Sequence, residues 1–469
     1  MQKDSKVYLF EEMPIPSAVM KLCVPTVLSS LVMVIYNLAD TFFVGMLNDP
    51  IQNAAVTLAY PVLLAFNAFN NLFGVGASSM MSRAMGRRDY DTVRKSSSVG
   101  FYMALICAAL FALVCTVFNG PLMNLLGVTE ETAKATGGYI FWTVSLGAVP
   151  GILNVVLAYL VRAEGASLHA SIGTMSGCVL NIILDPFFIL PWGLNLGAAG
   201  AGMATCLANC FACLYFFVLL WKKRKSTYVS VSPKMFKPNR FIVLGICGVG
   251  VPASIQNLLN VTGSTILNNF AAGFGADAVA AMGIAQKINM IPFQIAFGLS
   301  QGIMPLVSYN YASGNGKRMK KGFFYTTRIS MTFLVLITVA YYVFAQGLIG
   351  AFMDNAVVIE YGTKFLRGFC LGLPFLCMDF LAVGVFQACG MGKHALLFAI
   401  LRKIVLEIPA IYVLNWLFPL YGLAYSQLVA EVILAIAAIC VLVKLFKQVE
   451  ARQAAKTAAD TAISKEEQE

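Results

Sequence analysis

Tyr36, Asn37 and Asp40 fall together near one end of an otherwise apolar stretch, VPTVLSSLVMVIYNLADTFFVG (Val24–Gly45). Spacings of three and four place these residues on one helical face. At about 1.5 Å per residue the stretch is long enough to cross a bilayer. A carboxylate inside a span costs about 2.5–3.5 kcal/mol on insertion scales unless something compensates it. The pattern points to an ion or a proton taken up and released at Asp40.

A second acid, Asp185, follows Asn181 by four residues, so the two share a face. Its depth in its span is similar to that of Asp40. Two carboxylates at one depth can share a proton or ligate a cation. Na⁺ wants hard oxygen ligands. Asn37, Asn154, Asn181 and Thr205 supply amide and hydroxyl oxygens on neighbouring helices, and no metal beyond Na⁺ at Asp40 and Asp185 is indicated. The competing reading is a buried hydrogen-bond network that only fixes packing.

Later in the chain, Asp379 sits inside LPFLCMDFLAVGVFQ (Leu373–Gln387), flanked by Phe375, Met378 and Phe380. Aromatic and Met side chains around one carboxylate suit a repackable pocket for lipophilic cations. The alternative is an acid paired with Lys287, Arg402 or Lys403. Lys403 and Glu407 are four apart and read as a structural pair. Glu431, one turn after Gln427, fits either role. Gln256, Asn260, Ser264 and Asn268 form a polar stripe at every fourth residue, and Asn67, Asn70 and Asn71 cluster on another helix. Such faces line a hydrated cleft or an interface rather than lipid. A substrate cavity is therefore expected around Tyr36, Asn67, Gln256, Asn260, Asp379, Met378 and Phe375.

The elements that must hold these residues are membrane helices. Of 469 residues, 59% are hydrophobic and 12% charged, against about 25% charged in soluble domains. Apolar runs of spanning length fall at roughly 18–45, 54–81, 97–119, 136–161, 169–190, 197–221, 241–272, 278–310, 322–350, 361–388, 395–417 and 421–446, which predicts about twelve helices. If the N-terminus is cytoplasmic, 26 Lys and Arg fall inside and only Lys134, Lys364 and Arg367 outside. That bias predicts both termini in the cytoplasm. It also accounts for the +11 net charge without a nucleic-acid partner. The twelve Cys sit mostly in apolar runs and read as small hydrophobes.

One long polar connector, WKKRKSTYVSVSPKMFKPNR, divides the chain. The expected organisation is a cytoplasmic N-terminus (1–17), an N-lobe (18–221), the connector (222–240), a C-lobe (241–446) and a cytoplasmic tail (447–469). The lobes resemble each other. Ala54–Lys95 aligns without a gap to Ala280–Lys321, setting Gly76 on Gly302 and Ser82 on Ser308, and RAEGASLHA (Arg162–Ala170) aligns with QACGMGKHA (Gln387–Ala395). Six helices per lobe make a parallel repeat, with the binding site expected between the lobes near the midplane. His169 and His394 occupy equivalent loop positions, which suits a structural role. Prolines recur within spans (Pro25, Pro61, Pro150, Pro186, Pro252, Pro292, Pro374, Pro409) and predict kinks, either static or moving.

No GxxxxGK[ST] or HExxH motif occurs, and the GxSxG match at Gly298–Gly302 lies inside an apolar run, so neither an ATPase nor an intramembrane enzyme is indicated. YNLADTFFVG on the first helix, NIILDPFFIL on the fifth and the paired RAEG and QACG loops make the chain similar to the multidrug and toxic compound extrusion (MATE) family. It is most like the DinF/MepA-like branch, over roughly residues 15–446. The resemblance implies H⁺- or Na⁺-coupled export of amphipathic, often cationic drugs from a bacterial plasma membrane, with no cofactor. It also implies an N-lobe ion site at Asp40, Asn154, Asn181, Asp185 and Thr205. In another branch an acid on helix seven joins a C-lobe cation site; the corresponding helix here offers Gln256, and Asp379 resembles that branch's helix-ten acid. The expected state is a monomer. The rival function is a flippase for a lipid-linked saccharide, which would need a cationic cavity.

Overall fold

The computed structural model describes residues 4–466. Residues 1–3 and 467–469, the tips of the expected N-terminal segment and tail, lie outside the described residues. Among the described residues every element is helical. The first half holds α1 (Asp4–Glu11), α2 (Ile15–Gly45), α3 (Pro50–Gly86), α4 (Tyr90–Val117), α5 (Asn119–Leu125), α6 (Glu130–Ile140), α7 (Ala148–Ala163), α8 (Ser167–Ile189) and α9 (Ala198–Lys222). The second holds α10 (Arg240–Ala272), α11 (Ala276–Ser313), α12 (Gly316–Gly350), α13 (Ala356–Leu371), α14 (Leu373–Ala388), α15 (Gly392–Ile400), α16 (Ile408–Leu417) and α17 (Ser426–Glu466). This is an all-helical polytopic membrane fold.

Nine helices among the described residues are long and apolar enough to cross a membrane, and eleven spans result when two bent pairs are each counted as one. Those pairs are α6, continued by a π-helical stretch (Phe141–Leu146), with α7, bent by 50°, and α13 with α14, bent by 45°. They replace the unbroken runs expected at 136–161 and 361–388. Gly147 and Gly372 sit at the two breaks, and Pro150 and Pro374 follow in the first turns, where a missing N–H costs nothing. α15, a π-helical stretch (Leu401–Glu407) and α16 run end to end where the eleventh span of the sequence was expected. That stretch carries Arg402, Lys403 and Glu407, so it is the least apolar of the set.

The two halves repeat in detail. Ser82 Oγ donates to Ala163 O at 2.9 Å, and Ser308 Oγ donates to Ala388 O at 2.8 Å. Each bond ties the second long helix of its half to the end of the bent span. Gly76 and Gly302 also play one role twice. A Cβ at Gly76 would stand 2.3 Å from Ile246 O on α10, and one at Gly302 would stand 2.7 Å from Cys23 Cα on α2. The halves therefore cross backbone to backbone, α3 on α10 and α11 on α2. Only glycine permits that approach.

The core shows where the halves meet. One buried apolar cluster draws on both halves, from Leu9 and Phe10 to Val449. Two smaller clusters do not mix. One lies wholly within residues 44–201, the other within residues 267–424. The molecule is thus closed at the end bearing α1 and parted at the other, a cleft between two separately packed walls.

α1 clasps the closed end. Lys6 pairs with Glu164 at 2.6 Å. Glu11 accepts from Arg88 of the first half at 3.2 Å and from Tyr309 Oη of the second at 2.7 Å. The Phe10 carbonyl accepts from Arg318 Nε at 2.5 Å and from Asn310 Nδ2 at 3.2 Å.

Candidate functional site

The acids of the first half lie where α2, α8 and α9 pack together. Asn181 and Asp185 stand one turn apart on α8, and Asp185 is fully buried. The amide of Asn181 is oriented by its surroundings. Its nitrogen donates to Asp185 Oδ2 at 3.0 Å, and its oxygen accepts from Thr205 Oγ1 at 3.2 Å and from the Thr205 backbone N–H at 3.0 Å. Thr205, Asn181 and Asp185 thus form one hydrogen-bonded chain across α9 and α8.

Asp40 reaches this chain from α2. It and Asp185 are near enough to feel each other's charge, and Tyr36 and Tyr139 lie in the same field. Asp40 Oδ1 and Asp185 Oδ1 are buried with no hydrogen-bond partner. Among the described residues no Lys, Arg or His forms an ion pair with either acid. Carboxylates so placed offer free oxygens to a proton or a small hard cation.

Not every expected ligand joins them. Asn154 Nδ2 donates to Asn209 Oδ1 at 3.2 Å, on α7 and α9, and its own oxygen is buried without a partner. Asn37 is exposed, one turn from exposed Thr41, whose hydroxyl bonds its carbonyl. Tyr36 and Asp40 turn toward α8, while Asn37 faces outward. Tyr139 and Asn209 were absent from the sequence reading. Their partners lie on other spans, and no spacing within one helix reveals that.

The acids of the second half are held differently. Arg402 lies buried between Glu431, at 2.7 Å, and Asp379, at 3.5 Å, with its guanidinium 5.1 Å from the Phe380 ring centroid. Lys403 pairs with Glu407 at 2.6 Å. The π-helical stretch brings both bases to the interior of this half. Asp379 therefore does not stand free on a cavity wall. It is 1% exposed and faces a guanidinium, while its neighbours Phe375 and Met378 are more open. Glu407 and Glu431 are likewise paired. Lys287 and Arg328 are exposed and outside this cluster.

Of the remaining cavity residues, Gln256 accepts from Gln387 Nε2 at 3.2 Å, across α10 and α14. Asn67 is exposed and Asn260 half-buried. Both lie on the helices that cross between the halves, beyond the point where Ser254 Oγ bonds Ala68 O at 2.6 Å.

Two like halves of membrane helices, joined at one end around a cleft and carrying a pair of acids with buried carboxylate oxygens and, among the described residues, no basic partner, make the build of a secondary transporter. The family profile MatE matches residues 25–187 and again 252–413, once in each half. Over 439 residues the chain is 33% identical to the Multidrug export protein MepA of Staphylococcus aureus (strain MRSA252), covering 94% of this chain and 96% of that protein. It superposes with a TM-score of 0.85 on a structure described as the outward-facing conformation of a multidrug resistance MATE family transporter of the MOP superfamily, at 25% identity over 93% of this chain and 95% of that one. A crystal structure of a MATE protein in the straight conformation gives a TM-score of 0.87 at 25% identity, over 96% and 98%. The chain belongs to the MATE family. It is a membrane transporter, not an enzyme.

Proposed function

We propose that the chain is an H⁺- or Na⁺-coupled antiporter that exports amphipathic, often cationic small molecules across a bacterial plasma membrane. One observation carries the reading. Asp379, Glu431 and Glu407 of the second half are ion-paired to Arg402 and Lys403, while among the described residues Asp40 and Asp185 have no base. An intramembrane acid with no counter-charge depends on something that arrives and leaves.

The mechanism follows from placement. Asp40 lies on α2, which also carries Pro25 and crosses the second half at Gly302. A cation or proton at Asp40 and Asp185 changes how α2 seats on α8, and α2 in turn contacts α11 of the other half. Coupling requires only that ion and cargo favour different arrangements of the halves. The cargo site is the cleft lined by Tyr36, Asn67, Gln256 and Asn260, with Phe375 and Met378 on the second wall and Asp379 behind it. The lobes are taken as residues 18–221 and 241–446, with both termini in the cytoplasm, the closed end facing that side, and the monomer as the working unit. The drug-export assignment draws on the name of the relative MepA.

Everted vesicles loaded by an imposed Na⁺ gradient or an imposed pH gradient test it. Ethidium or fluoroquinolone movement driven by one gradient, and lost in Asp40→Asn, is the expected result. Wild-type rates in Asp40→Asn would remove the acid pair from the mechanism.

A further inference from the structure

Arg162 ends α7 at the closed end of the cleft, far from the acid pair in the chain's own organisation. It is 9% exposed, and its Nε is buried with no hydrogen-bond partner. Among the described residues it forms no ion pair, and its guanidinium carbon lies 5.3 Å from the Tyr159 ring centroid. The nearest acid in sequence, Glu164, is engaged elsewhere: it pairs with Lys6 and accepts from Thr227 Oγ1 and the Tyr228 N–H. An arginine keeps its charge even when buried, and a buried charge without a counter-ion is strongly unfavourable.

The guanidinium borders a small cavity between the halves. Ser78, Ser82 and Tyr159 line it from the first half, Gln301 and Met304 from α11 of the second. About 10 Å³ of it is open to the centre of a water-sized sphere, room for one small species. The two serine hydroxyls already donate to Val75 O and Ala163 O. The other polar residues lining it are Arg162, Gln301 and Tyr159. A water there would bond to them and neutralise nothing. A monatomic anion would do both.

We propose that this cavity is a halide site, filled by chloride, with Arg162 of one half and Gln301 of the other as its principal donors. The site exists only while the halves meet at this end, because its two donors come from opposite halves. Chloride therefore binds the closed arrangement in preference to the one in which this end has parted, and stabilises it by differential affinity. The proposal stands apart from the coupling reaction and from the acids of the first half.

The test uses the purified full-length protein in lipid nanodiscs. Thermal unfolding is followed in sodium chloride, sodium bromide and sodium gluconate at one sodium concentration and ionic strength. Chloride and bromide are expected to raise the midpoint by several degrees over gluconate, saturably. Arg162→Gln is expected to abolish the halide effect and Gln301→Leu to weaken it at least tenfold in the halide concentration needed. A halide effect of wild-type size in a folded Arg162→Gln protein overturns the proposal. Should that variant fail to fold, anomalous diffraction from wild-type crystals grown in bromide decides: a peak beside the Arg162 guanidinium supports the site, and its absence at saturating bromide rejects it.

Discussion

The Phe10 ring lies flat on the Tyr309 ring, centroids 4.8 Å apart and planes within 13°. The pair joins a short N-terminal helix to the end of α11 in the opposite half of the chain. Around it Glu11 bridges Arg88 and Tyr309, and Arg318 holds the Phe10 carbonyl. The closed end is thus clasped by a segment outside every span.

That clasp should be weakened by Phe10→Ala. Truncating a buried Phe costs about 3–5 kcal/mol when its site cannot collapse, and Phe10 is fully buried. Cys23, buried where α2 meets α11, reports the opening. In a background with the other cysteines replaced, maleimide labelling of Cys23 is expected to accelerate in Phe10→Ala. An unchanged rate would show that α1 does not hold the halves together.

Asn181 links Thr205 to Asp185, so Asn181→Leu should impair transport without removing an acid. Loss of a hydrogen bond to a charged group costs about 1.5–3 kcal/mol, roughly tenfold to a hundredfold in an equilibrium. The expected outcome is efflux slowed by that order, between wild type and Asp185→Asn, measured in energised vesicles. Asn154→Leu, which breaks a pair with Asn209 instead, is expected to have the smaller effect.

Arg402 answers for two buried acids. Arg402→Met leaves Asp379 and Glu431 without it, and breaking a buried ion pair from one side costs about 3–5 kcal/mol. A clear fall in thermal midpoint is expected. Adding Glu431→Leu to Arg402→Met should restore part of it, since the unpaired charge goes too. A double variant less stable than the single one would contradict the assignment of these residues as a packed ionic cluster.

Gly76 sets the distance between α3 and α10. With a Cβ 2.3 Å from Ile246 O, Gly76→Val must push the helices apart or fail to close this end. Transport is expected to fall to background while the protein still purifies as a single species, because each half keeps its own core at the open end. Normal transport by Gly76→Val would mean that this crossing is not required in the cycle.

Asp89 caps α4 from a loop outside the spans, accepting from the Thr92 N–H at 3.0 Å. Hydrogen bonding from Thr92 holds its carboxyl below the usual range. A depressed folded value means that the cap's contribution is present above the unfolded value of about 3.9 and is lost as pH falls through the folded one. Asp89→Ala should cost about 0.5–2 kcal/mol near neutral pH, toward the low end for this exposed site. Thermal midpoints of the two proteins should converge as pH falls below about 4.

The amino-acid order by itself determined that the chain is a bundle of membrane helices built from two like halves. Length, hydropathy and the alignment of Ser82 with Ser308 are one-dimensional properties, and a span must satisfy its own backbone wherever it packs. The same order marked Asp40, Asn181 and Asp185, because an acid in an apolar run is visible without knowing its neighbours. Partnership between spans was left to the tertiary structure. Asp379 and Arg402 are 23 positions apart and could each have faced elsewhere; the π-helical stretch turns Arg402 inward, and the carboxylate loses its freedom. Asn154 chose Asn209 over the acids. Arg162, one position past the apolar run at 136–161, ends buried where Gln301 and Met304 of α11 face the same cavity. Each of these outcomes depends on which helix faces meet, and packing geometry alone sets that.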